Sequence, residues 1–596
     1  MLYKHHSRGF HTLPRGANSK KSIEEDNMII SKSSQKNRTV VFVTFESEFA
    51  PVGGLAAVMR ILPRRMAQAT GGDCFTLTPL FKHITRCNDR RWASLEPTGH
   101  VFNVRFGDVE HTVTLRRHMD AHGFTTYLLD SELFFNAPCD CGNPPAPEAP
   151  CNPYRDPAHP EQLLQDALFF AAAVPQALVA LGKTANLILS LQDWQGALAA
   201  FTVKRTPALT SVACVLTVHN PYDKPLSTAD AAQIGGQALP GPTVLTKMLP
   251  FVDGPVCTVS ENFAEELTTE VLHTDVYAPH LQKFFRRKGV RGINNGLFAA
   301  LDFPEAALSA AREGDFGPLL AVKARRRAAL VRVLQSYRPP EAWGTLADLD
   351  AFDGPIFLLF GRDDPRQKGY DVAAAAIRQL PPGQAKYIFT PIPGDEGLAG
   401  LHFLKALAQE RPGEVKIFPF RVARGYVELQ RGASYLVMAS LYEPFGAATE
   451  GYAVGTPVVA RATGGLVQQV APYPSACLNA AVRRRAACFH DPQACPTGFL
   501  FREPDLPRET LIAGWRRIVA CDYFPGGDRV TDRQGSALFD ALVLEAARAF
   551  QDAITLYMNN PPEYARMIAG GFEMLRAFSW ERAVREYRQV YGAVSR

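Results

Sequence analysis

The stretch TVVFVTFESEFAPVGGLAAVMRILPRRM (Thr39–Met66) changes its period part-way along. Thr39–Phe45 is β-branched and apolar without alternation, as a strand buried on both faces of a parallel sheet should be. From there on, Leu55, Val58, Met59, Leu62 and Met66 recur at helical spacing and form one apolar stripe. Gly53-Gly54 stands between the two patterns. Strand, glycine turn, helix is the opening of a nucleotide-binding βαβ unit. The turn offers backbone N–H groups at a helix N-terminus with no Cβ to hold a phosphate away, so Gly53 and Gly54 are candidate ligand contacts. An ordinary tight turn has the same composition.

Working outward, further buried-strand patterns lie at Leu187–Leu191, Val212–Val218, Pro255–Val259 and Gly292–Asn294, separated by helical stretches. This alternation predicts a doubly wound sheet. Residues 336–354 turn to Pro, Gly, Trp and Asp, the texture of a linker. A second strand–loop–helix start follows at Ile356–Phe360, GRDDPRQKG and Asp371–Leu380, with later strands at Val415–Phe418, Ala433–Met438 and Pro457–Ala460. The fold class is therefore α/β, with two tandem Rossmann-like, doubly wound domains facing a cleft. The expected spans are residues 1–38 for a disordered basic leader, 39–345 for the first domain, 355–575 for the second, and 576–596 for a terminal helix. Ligands of such sheets bind beyond the carboxyl ends of the strands.

The chain of 596 residues carries 64 Lys+Arg and 59 Asp+Glu. Eight of those basic and three of those acidic side chains fall in the first 38 residues, so the remaining 558 hold 56 of each sign. A neutral body argues against a nucleic-acid binder, which would carry the positive field itself. The leader has no apolar segment of a secretory signal, and it is read as a tail in preference to an organellar transit peptide. The longest apolar run, Ala167–Leu181, contains Pro175 and Gln176 and falls short of the roughly 20 residues that a spanning helix needs, so no membrane span is expected. Eleven scattered cysteines fit a reduced, cytoplasmic protein. Cys139, Cys141 and Cys151 lack a second cluster at zinc spacing and are read as loop thiols.

Chemistry-bearing residues concentrate at predicted strand ends. Arg362 and Lys368 lie just past a buried strand on a loop closed by Gly369. Arginine can grip a diphosphate through paired hydrogen bonds and lysine as a point charge. In Val437–Leu466 (VMASLYEPFGAATEGYAVGTPVVARATGGL), Glu443 and Glu450 place carboxylates where a sugar hydroxyl could donate to them, while Thr463, Gly464 and Gly465 make a second amide turn. His219 ends the strand VACVLTVHN beside Asn220, and Asp193 follows Leu187–Leu191 in the same way. Capping, turn formation and core packing account for any one of these residues taken alone.

The segments EFAPVGGLAAVMRILPRRM, LQDWQGAL, LTVHNPY, TVSENFAEEL, GINNGL, FGRDDPRQKG, YEPFG, GTPVVARATGGL, TGFLF and SWERAVREYRQVYG come in the order found in glycogen and starch synthases. From about Thr39 to its end the chain resembles these retaining, GT-B-type glycosyltransferases. The resemblance implies transfer of glucose from ADP-glucose or UDP-glucose to the 4-OH of an α-1,4-glucan acceptor. It implies that His219 lies by the transferred sugar, that Arg362 and Lys368 stabilise the departing diphosphate, and that Glu443 lies beside the donor sugar. Asn295, in GINNGL, joins the expected substrate contacts Gly53, Gly54, Asp193, Asn220, Glu450, Thr463, Gly464 and Gly465. No cofactor or metal is expected, because fixed cations stabilise the leaving group. The last helix is expected to cross back to the first domain.

Three departures stand out. Pro51 occupies the position of the family's lysine two residues before Gly-Gly, Gln192 replaces the usual histidine before Asp193-Trp194, and Glu443–Gly455 is one residue shorter than the common pattern. Two alternatives therefore stay beside the glucan-synthase reading: a retaining nucleotide-sugar transferase with another acceptor, and a non-catalytic glucan-binding relative.

Overall fold

Burial follows the apolar runs. In the computed structural model every residue of β1 (Thr39–Val43) is buried, and β1 forms the middle of a nine-stranded sheet. The structure describes residues 38–594 apart from 72, 83, 85–89, 137–153, 155–160, 395–396, 423, 477 and 521–532. The expected leader, but for Arg38, and the Cys139–Cys141–Cys151 cluster lie outside the described residues.

The first sheet continues with β2 (Cys74–Pro79), β3 (Glu96–Phe106), β4 (Val109–Met119), β5 (Thr125–Ser131), β6 (Ala185–Gln192), β7 (Thr210–Val218), β8 (Val256–Thr258) and β9 (Val290–Gly292). Their order is β3-β4-β5-β2-β1-β6-β7-β8-β9, parallel except for the pairings of β4 with β3 and β5. The order reverses at β1, which pairs with β2 on one side and β6 on the other. A reversal of this kind opens a crevice above the carboxyl ends of the strands. The second sheet consists of β10 (Trp343–Gly344), β11 (Ile356–Arg362), β12 (Lys386–Ile392), β13 (Val415–Ile417), β14 (Tyr435–Met438), β15 (Val458–Arg461) and β16 (Gly498–Phe501). It runs β10-β13-β12-β11-β14-β15-β16 and reverses at β11 in the same manner. The α/β class with two Rossmann-like sheets is as expected.

Helix α1 (Gly54–Thr70) packs its stripe of Leu55, Val58, Met59, Leu62 and Met66 against the first sheet. Helix α2 (Gln162–Ala180) holds most of the longest apolar run, and twelve of its nineteen residues are buried in the core. Long and apolar enough to cross a membrane by composition, it is instead covered by protein, against α3 (Asp193–Lys204) and β3.

Two expectations need correction around residue 345. Trp343–Gly344 is not linker but the edge strand β10, antiparallel to β13 with Trp343 opposite Ile417. The helix Gly317–Ser336, expected in the first domain, packs on the second. Its buried Lys323 donates to the carbonyls of Arg431 and Ala433 and to Thr456 Oγ1, and its Arg326 donates to the carbonyl of Val454. Three acceptors around one ammonium replace its lost hydration and fix the helix to the second sheet.

The terminal helix α4 (Trp580–Val594) buries Trp580, Ala583, Val584, Tyr587, Val590 and Tyr591 in one core with α1 and the first sheet. Trp580 Nε1 donates to the carbonyl of Leu297 at 2.8 Å. Each large side chain so buried contributes about 1.5–3 kcal/mol. The two halves also meet through polar groups: Ser260 Oγ donates to the carbonyl of Pro444, Asn262 Nδ2 to that of Gly464, and Thr463 Oγ1 to Glu266.

Candidate active site

Between the carboxyl ends of the two sheets lies a cavity of about 610 Å³. Glu46 after β1, Asp193 after β6, and His219, Asn220 and Tyr222 after β7 line it from the first sheet. Arg362 at the end of β11, Lys368 on the following loop, and Ser440, Glu443 and Glu450 beyond β14 line it from the second. The strand order brings these residues together, because both reversal points face the same space.

On the first wall, Asp193 is buried and holds φ +54°, a left-handed conformation uncommon for a side chain other than glycine. Its Oδ1 accepts the backbone N–H of His219 at 2.6 Å and its Oδ2 accepts from Asn220 Nδ2 at 3.4 Å. Burial pushes its carboxyl up to about 7, against the opposing effect of the His219 N–H, and the Glu46 charge adds to the rise. Burial likewise pushes the His219 imidazole down to about 3, so it is neutral near pH 7. His219 Nε2 lies 2.8 Å from Gln192 Oε1.

On the second wall, Lys368 Nζ donates to Glu443 Oε2 at 2.7 Å, and Ser440 Oγ donates to the same oxygen at 2.8 Å. The lysine loop is pinned from behind: Leu441 N–H donates to the carbonyl of Gln367 at 2.6 Å, and Gly369, at φ +59°, sits where a Cβ would overlap the carbonyl of Ala439. Arg362 stands 3.6 Å from Asp364, whose carboxylate also accepts from Tyr222 OH at 3.4 Å across the cleft. Tyr442 OH completes this bridge by donating to Tyr222 OH at 2.7 Å. Burial raises the Glu450 carboxyl, with Lys368 opposing the rise. Two cations beside three hydroxyl-accepting carboxylates can hold an anionic leaving group and a neutral, hydroxyl-rich body side by side.

The glycine turn differs from its expected use. Gly53 and Gly54 line the cavity, but Glu46 Oε1 accepts the N–H groups of Val52 at 3.0 Å, Gly53 at 2.6 Å and Ala56 at 3.1 Å. Glu46 Oε2 accepts from Tyr154 OH at 2.9 Å. The chain's own carboxylate thus fills the anion cradle at the start of α1. Thr463, Gly464, Gly465 and Asn295 do not line the cavity. Gly465 N–H donates to the carbonyl of Glu443, and a Cβ on Gly464 would overlap that same carbonyl, so this turn supports Glu443 from behind. Asn295 is buried, with its N–H directed at the carbonyl of Val259. Sequence reasoning missed Glu46, Tyr222, Ser440 and Tyr442. The legible signal for Glu46 was a carboxylate one residue past a buried strand.

Known proteins are similar to this chain in sequence and in fold. A family model described as the starch synthase catalytic domain matches residues 39–286, and one described as a family 4 glycosyltransferase in conflict systems matches residues 316–485. A glycogen synthase of Alkalilimnicola ehrlichii is 29% identical over 367 residues, covering 58% of this chain and 68% of that protein. A glycogen synthase of Aeromonas hydrophila is 22% identical over 575 residues, 93% of this chain and 97% of that protein. The chain is a glycosyltransferase, and its residues 39–286 are similar to the starch synthase catalytic domain. A glycogen synthase of Oceanobacillus iheyensis is 26% identical over 272 residues, and the match spans about half of that protein, 51%. The catalytic domain of starch synthase IV from Arabidopsis thaliana has the same fold, with a TM-score of 0.65 over 94% of this chain and 99% of that one at 15% identity. The departures at Pro51 and Gln192 both fall on the first-sheet side of the cleft, where Glu46 fills the cradle.

Proposed function

We propose that this enzyme transfers glucose, with retention of configuration, from ADP-glucose or UDP-glucose to the 4-OH at the non-reducing end of an α-1,4-glucan. One observation carries the reading: Arg362, Lys368 and Glu443 face His219 and Asp193 across a single cavity. Arg362 and Lys368 take up the charge of the departing diphosphate as the bond from C1 to its oxygen breaks. The acceptor oxygen bonds to C1 on the same face, and its proton passes to the diphosphate. Glu443, fixed by Lys368 and Ser440, accepts hydroxyls of the donor sugar. Neutral His219 accepts another from the opposite wall. The names of the curated relatives, glycogen synthases, support glucose and glucan as substrates.

The test is incubation of purified protein with radiolabelled ADP-glucose and UDP-glucose, with and without glycogen. The expected product is elongated glucan with one of the two donors, and no elongation with either would overturn the proposal. A second reading, another sugar acceptor, is favoured by the concentration of departures on the first-sheet wall. Transfer to a small sugar but not to glycogen in the same assay would select it.

A further inference from the structure

Gln192 ends β6 and His219 follows the neighbouring strand β7. Gln192 Nε2 donates to the backbone carbonyl of Ser190 and to Ser190 Oγ, each at 3.0 Å. A carbonyl oxygen only accepts, so the amide nitrogen must face Ser190 and the amide oxygen must face His219. That oxygen also only accepts. His219 Nε2, 2.8 Å away, therefore carries the proton, and the lone pair of the neutral ring lies on Nδ1. Nδ1 has no hydrogen bond among the described residues, and the ring lines the cavity. Ser190 Oγ is held in turn by Tyr591 OH of α4 at 2.9 Å.

We propose that Gln192 is a positioning residue, which with Ser190 and Tyr591 locks His219 as the Nε2–H tautomer so that Nδ1 accepts a hydroxyl of the bound sugar. The tautomer assignment stands on the hydrogen-bond geometry, while the identity of what Nδ1 receives rests on the proposed sugar transfer. The choice of an amide has a chemical consequence. A histidine at position 192 could either donate or accept and would leave the tautomer open. A carboxylate would hold the proton on Nε2 but favour the charged imidazolium, which has no lone pair to offer. Glutamine specifies the tautomer without adding charge. A lone pair aimed at the sugar also selects for a hydroxyl at that position and against a carboxylate, so the class of substrate is a neutral hexose rather than a uronic acid.

The experiment uses full-length protein labelled with ¹⁵N-histidine. Long-range ¹H–¹⁵N spectra distinguish Nε2–H from Nδ1–H rings, and the His219 signals are identified by their loss in His219→Asn. Wild type is expected to show Nε2–H. Gln192→Leu should give Nδ1–H or a mixture, whereas Gln192→Glu, which keeps an acceptor, should keep the proton on Nε2 and add one on Nδ1 to the extent that the ring becomes charged. Gln192→Met is the second variant should leucine disturb the strand. An Nδ1–H ring in wild type, or an unchanged ring in both apolar variants, overturns the proposal. Turnover should fall about 10- to 100-fold in the variants that lose the tautomer, the range typical of partners that orient a functional histidine from behind. A changed tautomer with unchanged turnover overturns the positioning role. Absence of sugar transfer by wild type itself would instead count against the proposed function, and the spectra would still read the tautomer.

Discussion

Glu46→Ala empties the cradle at the start of α1. Three N–H groups lose a charged acceptor, and Tyr154 OH loses its carboxylate partner. Loss of an N-terminal cap costs about 1–2 kcal/mol, and loss of a hydrogen bond to a charged group about 1.5 kcal/mol. The cradle lines the cavity, so water reaches the freed amides and the costs do not climb further. The expected destabilisation is about 3 kcal/mol. The freed amides then form an anion site that wild type lacks. If sulfate binds there with a dissociation constant of about 10 mM, 100 mM sulfate should restore about 1.4 kcal/mol. The assay is denaturant or thermal unfolding in sulfate and in chloride at matched ionic strength. Sulfate stabilises most proteins through exclusion from their surface, so the informative quantity is the extra gain of the variant over wild type. Equal gains in the two proteins, or a destabilisation below about 0.5 kcal/mol, would refute the reasoning.

Lys368→Ala should leave the fold intact and lower turnover about 10²- to 10³-fold, as expected when one fixed charge is removed from a leaving-group site, measured as initial rates at saturating donor. Gly464→Ala should have a similar effect without touching the cavity, because its Cβ would displace the carbonyl of Glu443; circular dichroism should stay native while activity falls. Asp193 sets a pH dependence. Its folded pKa of about 7 lies above the ordinary carboxylate value of about 3.9, so the unfolded chain releases this proton first, and stability falls as pH rises from about 4 to 7, by on the order of 4 kcal/mol. Unfolding curves across that range should be flatter for Asp193→Asn than for wild type.

Legibility in the sequence tracked burial. β1, β6, β7 and β11 could be read because both faces of each are covered, which leaves an unbroken apolar run. The β3–β4 hairpin could not: covered and exposed residues alternate along Glu96–Phe106, but the half-covered His100 and the exposed Val101 break the apolar–polar alternation that would have marked the strand. β10 is two residues long, below any periodic signal. Within the site, His219, Asp193, Arg362, Lys368 and Glu443 stood out because each follows a buried strand, and strand ends point to the cleft. The glycine turns misled for an opposite reason. A glycine pair marks close approach of backbone but not what approaches, and here the neighbours are the carboxylate of Glu46 and the carbonyl of Glu443. Those contacts are made by loops folding back, which no local pattern encodes.

The placement of α4 has a consequence for biosynthesis. The core shared by β1, α1 and the terminal helix joins the earliest strand of the described chain to its last helix. During translation the first sheet can pair its strands and pack α2 and α3, but Val40, Phe42, Leu55 and Met59 wait for Trp580–Tyr591 to leave the ribosome. The first half is therefore the last to finish folding, and the open face of α1 is the surface a nascent-chain chaperone would meet throughout synthesis of the second half.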